Sequence, residues 1–174
     1  MITHVSQSEV SLVPKSIDGT SVGQKKRNLD YEKLRTKEEL EDYKQKSEQK
    51  LEIFDDKSEK KFMITFNSPL EFKQVKEKIS LYESQLDIEG IYTRSIGVNG
   101  DIFTGIAFSF DNKVLDEIKN QKETSYKGII QIEGKAPTEV LKKLTTDKDV
   151  FAVEVADNEY LPVGLYWKLE HSEK

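Results

Sequence analysis

A strand that runs directly into a capped helix occurs twice in this sequence. That repetition confines the chain to a layered arrangement of helices on a sheet. In residues 62–82, Phe62, Ile64 and Phe66 alternate with Met63 and Thr65, the period of a half-buried strand. Ser68-Pro69-Leu70-Glu71 follows at once and reads as a capping box. The Ser hydroxyl accepts a free amide at the helix start, Pro fits the first helical position, and Glu reaches back. In residues 128–155, Ile130 and Ile132 lead through Gly134 to Pro137-Thr138-Glu139 and a second amphipathic stretch. Units of this kind fix a backbone and carry no chemistry of their own.

Between the two units the pattern stays regular. Phe72, Val75, Ile79, Tyr82 and Leu86 recur at three and four residues, one face of a helix. Two strands, over residues 90–98 and 102–110, are joined by Asn99-Gly100. Both residues tolerate the positive φ of a type I′ turn, so a two-residue hairpin is expected. That register puts Ile91 opposite Phe108, Thr93 opposite Ile106 and Gly97 opposite Ile102, with Tyr92, Arg94, Ile96, Phe103 and Ala107 on the other face. Gly105, in mid-strand, marks a bulge or a close approach. Asp111 caps a short helix that turns Val114, Leu115 and Ile118 inward, and residues 126–133 form the next strand.

The predicted order is strand, helix, strand, strand, helix, strand. It implies an α+β fold with a ferredoxin-like split βαβ core. A C-terminal helix-strand-strand extension follows: a helix over 137–145 with Val140, Leu141 and Leu144 inward, a strand over 150–156 with Phe151, Val153 and Val155 on one side, and a last strand over 162–168 with Val163, Leu165 and Trp167 together.

Ahead of this domain, which spans residues 61–170, composition changes. Residues 1–28 are rich in Ser, Thr, Gly and Val without period and read as a flexible arm. Residues 29–60 are densely charged and read as a charged helical segment, with a capping box at Thr36-Lys37-Glu38-Glu39. Leu40, Tyr43, Leu51 and Phe54 share one face of it, interrupted by Ser47, so weak docking, or a stalk, is expected.

With 27 Lys and Arg against 32 Asp and Glu, the net charge is −5, and basic residues are interleaved with acidic ones. This argues against nucleic acid as a partner, because phosphate neutralisation needs a clustered basic surface. The chain has no cysteine, which excludes disulfides, thiolate metal sites and a thiol nucleophile. No stretch is long and apolar enough to span a bilayer, and residues 1–13 lack the layout of a signal peptide. The chain is therefore either cytoplasmic or a soluble fragment of a longer exported or anchored protein.

Chemistry-bearing residues are sparse. The two histidines, His4 and His171, stand near the chain ends. A catalytic imidazole needs a second group to hold it, so triad and His-metal chemistry are not expected. Asp55-Asp56, the acidic run 38–42 and Asp147-Lys148-Asp149 are dense in carboxylates, but the last lacks the ligand spacing of a calcium loop. Gly97-Val98-Asn99-Gly100 is a hairpin turn with no helix after it, not a phosphate cradle. No catalytic residue, cofactor or metal is expected. Tyr160, Tyr166 and Trp167 fall within eight positions of each other, and such aromatics are enriched at binding hot spots. They are the candidate partner-binding residues, with an interior role for Trp167 as the competing reading.

Residues 126–167 carry a family likeness. The run Gly128-Ile129-Ile130-Gln131-Ile132-Glu133-Gly134, then Pro137-Thr138-Glu139-Val140-Leu141, a Lys-rich turn, a Val-rich strand and the Tyr166-Trp167 pair resemble the extracytoplasmic C-terminal domain of Gram-positive anti-sigma factors, the sigma factor regulator family. The likeness extends over residues 62–167; Lys135-Ala136 separate Gly134 from Pro137, which the family holds nearly adjacent. It implies a non-catalytic sensing or protein-binding domain of a membrane-associated regulator, outside the cytoplasm, with a protein partner and a membrane tether beyond this chain. A second likeness is to protease propeptides of the inhibitor type, through Leu141 to Leu144 and the Val-rich strand. It implies an inhibitor module instead.

Overall fold

The computed structural model describes residues 2–6, 26–27, 36–55, 57–82, 84–157 and 160–165, and for 2–6, 26–27 and Tyr160 the backbone alone. The elements are β1 (Ile2–Ser6), β2 (Lys26–Arg27), α1 (Lys37–Glu52), β3 (Glu59–Leu70), α2 (Phe72–Ser80), β4 (Asp87–Gly97), β5 (Ile102–Ala107), α3 (Asn112–Lys119), β6 (Thr124–Pro137), α4 (Thr138–Leu144), β7 (Val150–Val155) and β8 (Tyr160–Leu161). The fold is α+β. One antiparallel sheet has the order β1-β5-β4-β6-β3-β7, and β2 and β8 form a separate parallel pair. The expected β-α-β-β-α-β run is present from β3 to β6 as a split pattern: β6 lies between β3 and β4, and β4 lies between β5 and β6. The second and fourth strands of that run hold its centre, where the ferredoxin order places the first and third.

Helices cover one face. Val75 of α2, Leu115 and Ile118 of α3, and Val140, Leu141 and Leu144 of α4 close over Phe62, Ile64, Ile91, Ile129, Ile132 and Val153 from the strands. The helix faces expected for α3 and α4 are those observed; α2 ends at Ser80, so Phe72, Val75 and Ile79 face the core from the helix while Tyr82 and Leu86 reach it from the turn that follows. Asp111 caps α3, accepting from the Lys113 amide at 2.8 Å.

The start of α2 differs from expectation. Ser68 is not its cap. After Thr65 pairs with Gln131 the ladder is interrupted, and Leu70 re-enters it opposite Ile129. In between, Asn67 leans towards β7, its amide bonding the Asp149 carbonyl at 2.8 Å and its side chain the Lys148 carbonyl at 2.9 Å. Pro69, which has no N–H, sits in this interrupted stretch, where it forfeits no ladder bond. The helix begins three residues later than predicted, with Gln74 Oε1 accepting the Glu71 amide at 2.8 Å.

The hairpin register is offset by one residue. Ile91 pairs with Ala107, Thr93 with Gly105 and Ile96 with Ile102. The turn holds three residues, not two: the Gly97 amide bonds the Asp101 carbonyl, and Gly100 takes φ +83°. A one-residue slip exchanges the faces of one strand relative to the other. Phe103 and Ala107 thus join the Ile91 face, while Ile106 joins Tyr92, Met63 and Ile130 in a second cluster on the opposite face. Gly105 marks a close approach: a Cβ there would stand 2.4 Å from Thr93 Oγ1.

The charged segment is not weakly docked. Its capping box is present, with Glu39 N to Thr36 Oγ1 at 3.2 Å and Thr36 N to Glu39 Oε2 at 3.0 Å. Leu40, Tyr43, Ser47 and Leu51 are all buried. Leu40 and Tyr43 pack on Ala152 and Leu165, whereas Leu51 reaches the main core. α1 therefore covers β7, the strand at one end of the sheet. Ser47 does not break the stripe, because a small side chain allows close approach. Phe151 also departs from expectation: the β3–β7 ladder shifts between Thr65 and Phe66, and Phe151 turns to the α1 side, away from Val153 and Val155. Within the stretch expected to be an arm, Ile2–Ser6 and Lys26–Arg27 are strands.

Candidate interaction surface

The last described segment lies across the face opposite the three helices. Residues 162–165 were expected to form a strand, but Val163 to Leu165 make side-chain bonds in place of ladder bonds. Their main-chain groups are held by buried polar side chains projecting from three strands, one of which is in turn bonded by Tyr43 of α1. Glu154 Oε2 accepts the Val163 amide at 3.0 Å, the Gly164 amide at 2.7 Å and the Tyr43 hydroxyl at 2.7 Å. The Leu165 amide donates to Thr65 Oγ1 at 3.1 Å. Thr65 donates to Gln131 Oε1 at 3.0 Å, and Gln131 Nε2 donates to the Val163 carbonyl at 3.4 Å. Thr65 and Gln131 stand directly opposite each other across β3 and β6, and Ala152, next to Glu154 in β7, stands opposite Thr65.

Glu154 is 4% exposed. Burial pushes its carboxyl above the usual range; the Tyr43 hydroxyl and the Gly164 and Val163 amides work against that shift, as does the more distant Lys50 charge. Lys50 itself pairs with Asp157 at 2.6 Å. Three donors converge on one carboxylate oxygen, each bond strengthened by low dielectric and by the charge. Gly164 makes this possible. Its φ is +80°, and a Cβ would fall 2.0 Å from Gln131 Oε1. The arrangement fixes the backbone of a segment.

The segment sits between the aromatic candidates. Tyr160 pairs in register with Lys26 in the short β2–β8 ladder. Tyr166 and Trp167, directly after Leu165, lie outside the described residues. Sequence reasoning missed Glu154, Gln131 and Thr65. The signal available was a polar residue at each inward position of otherwise apolar strands.

Other chemistry-bearing groups have local partners. Asp147 and Asp149 converge on the Lys78 ammonium, at 2.8 and 2.9 Å for the two Asp147 oxygens and 2.6 Å for Asp149. The lysine occupies the position a cation would take. Burial alone would lower the Lys78 pKa and raise that of Asp147; their mutual bonds outweigh it, so Lys78 is raised and Asp147 lowered. Arg94 is buried, bonding the Phe103 carbonyl at 3.1 Å and Thr104 Oγ1 at 2.7 Å. The Tyr126 hydroxyl is buried without a hydrogen-bond partner, and burial, then the charge of Glu71, holds it above its usual range. His4 stands in β1 opposite Gly105, and His171 lies outside the described residues. Among the described residues no three His, Cys, Asp or Glu side chains are grouped to hold a metal. Among them, too, no helix is long and apolar enough to cross a membrane. A cavity of about 270 Å³ opens at the hairpin tip, between Gly97–Asp101 and Gln121–Thr124, with polar and charged groups of both signs.

No protein-family model matches the chain, and neither a curated protein nor a solved structure does.

Proposed function

We propose that this chain is a non-catalytic protein-binding or sensing domain of a membrane-associated regulator, of the anti-sigma type, displayed outside the cytoplasm and tethered by a segment beyond this chain. One observation supports the binding reading. The buried polar side chains Glu154, Gln131 and Thr65 are spent on holding Val163, Gly164 and Leu165, so the backbone leading into Tyr166 and Trp167 starts from a fixed point. Anchoring an aromatic segment at its base reduces the entropy lost when a partner engages it. Tyr160, Tyr166 and Trp167 are the partner-binding residues in this reading, and the partner is a protein.

The experiment is capture of the partner on immobilised chain, comparing wild type with Tyr160→Ala, Tyr166→Ala, Trp167→Ala and the triple variant. Circular dichroism serves as the fold control. The reading expects loss of the partner with the fold retained. Retention by a folded triple variant overturns it, and unfolding by Trp167→Ala alone assigns that residue to the interior. The inhibitor reading retains the α4–β7 pattern as its support; a captured protease whose activity is blocked by the chain would favour it.

A further inference from the structure

We infer that the outer edge of β5 is a strand-accepting site, closed by the chain's own β1 and able to take an extended, uncharged peptide of a partner protein in its place. This surface is at the other end of the sheet from the one covered by α1 and goes beyond the C-terminal reading.

The two ends of the sheet are protected differently. β7 is shielded by α1, whose Leu40, Tyr43 and Leu51 are buried against the domain. Among the described residues, β5 without β1 lacks the usual safeguards of an edge. Its sequence, Ile-Phe-Thr-Gly-Ile-Ala, holds no charge and no proline, and its pairing with β4 runs without a bulge. Among the described residues, β1 is all that pairs on that side.

The register shows what the edge accepts. The Gly97 amide bonds the Asp101 carbonyl across the hairpin. Hydrogen-bonded pairs alternate in an antiparallel ladder. Phe103, Gly105 and Ala107 therefore direct their main-chain groups to β4, while Ile102, Thr104 and Ile106 direct theirs outward. β1 meets those outward groups with Val5 opposite Thr104 and Thr3 opposite Ile106. A ligand that follows β1 is thus an antiparallel strand with free amides at alternate positions. The occupant on view, Ile-Thr-His-Val-Ser, holds no Asp, Glu, Lys or Arg and is rich in β-branched residues.

β1 is joined to β2 by nineteen residues, 7–25, and they reach about 60 Å when extended. The three strand steps from β1 to β6 amount to about 14 Å. A connection of that length does not by itself hold β1 to its edge. While docked it competes at an effective concentration on the order of millimolar, as a linked module does.

The test uses the full chain and a fluorescent peptide copying residues 1–7, read by anisotropy. One variant carries Thr3→Pro and Val5→Pro, which removes the two amides facing β5. The other carries Ser6→Cys and Phe103→Cys, directly opposed positions in a chain with no other cysteine. The proline variant should bind the peptide at least about tenfold more tightly than wild type, because its binding-competent fraction rises. The oxidised cysteine variant should not bind it, and reduction should restore binding. A peptide with Asp in place of Thr3 and Val5 should bind to none. Equal binding by all forms overturns the inference. So does a proline variant that fails to fold, since β1 would then be integral to the domain. Disulfides formed only between chains overturn it as well, because a second copy would then fill the edge.

Discussion

Gly164→Ala tests whether the C-terminal segment is held as tightly as its hydrogen bonds indicate. Gly164 sits at φ +80°, a region that costs an L-residue about 1–2 kcal/mol. Its added Cβ would also meet Gln131 at 2.0 Å for Oε1, 2.4 Å for Cδ and 2.7 Å for Nε2, so Gln131 must move. Gln131 is fully buried and bonds Thr65 and the Val163 carbonyl. Breaking both bonds in a dry site adds roughly 1 kcal/mol each. The expected loss is about 3–4 kcal/mol. Gly100→Ala is the matched control: φ is +83°, yet nothing lies within 4 Å of the new Cβ. It should cost only the backbone term, about 1–2 kcal/mol. Urea unfolding of the two variants measures the difference, which should be about 2 kcal/mol, or roughly 4–8 °C in Tm for a chain of this size. Equal losses would refute the reasoning, because the two positions share a backbone conformation and differ only in what surrounds them.

Leu51→Ala should cost about 2–5 kcal/mol, since Leu51 is 1% exposed within the main core; a loss of only a few tenths in thermal unfolding would mean that α1 is a stalk after all. Thr36→Ala removes the capping bond to Glu39 and should cost about 1 kcal/mol in the same assay. For Glu154, burial raises the folded pKa, so the folded chain holds its proton more strongly than the unfolded one. Its contribution is fully present below the ordinary carboxylate range and declines as pH rises through the folded value. Glu154→Gln should remove this decline, and identical pH profiles of unfolding free energy for both proteins would contradict the assignment. The Lys78 cluster has the opposite profile on its acidic side. Asp147, lowered, stabilises above the usual carboxylate range and loses that effect as pH falls through its folded value. Lys78, raised, loses its effect only as pH climbs past the usual lysine range. Lys78→Met leaves two carboxylates facing each other, and its destabilisation should shrink in Asp147→Asn background, as a double-mutant cycle would read.

Much of the architecture is written in spacings of a few residues. The Thr36–Glu39 box, the Asp111 cap and the apolar faces of α2, α3 and α4 depend on atoms within one or two helical turns, so local sequence determines them. The Ser68 box was a false signal of the same kind. The four residues suit a helix start, but Leu70 gains more by rejoining the ladder opposite Ile129, a partner distant in the chain. Asn99-Gly100 likewise announces a hairpin without fixing its length. Gly at positive φ serves both a two-residue turn and a three-residue turn, and the choice falls to burial of Ala107 beside Ile91 and of Ile106 beside Tyr92.

The candidate surface was the least legible part. Tyr160, Tyr166 and Trp167 stand out by composition, whereas the side chains that anchor the segment between them look like isolated polar substitutions in apolar strands. Sequence alone determined the class, the order of elements from α1 to β7 and the faces of α3 and α4. Tertiary structure decided the hairpin register, the docking of α1 and the meeting of Tyr43, Thr65, Gln131 and Glu154 around Val163 and Gly164. The reason is one of range: a cap or a helix face is settled by neighbours in the chain, while a buried carboxylate is tolerable only where donors up to 111 positions away arrive at the same oxygen.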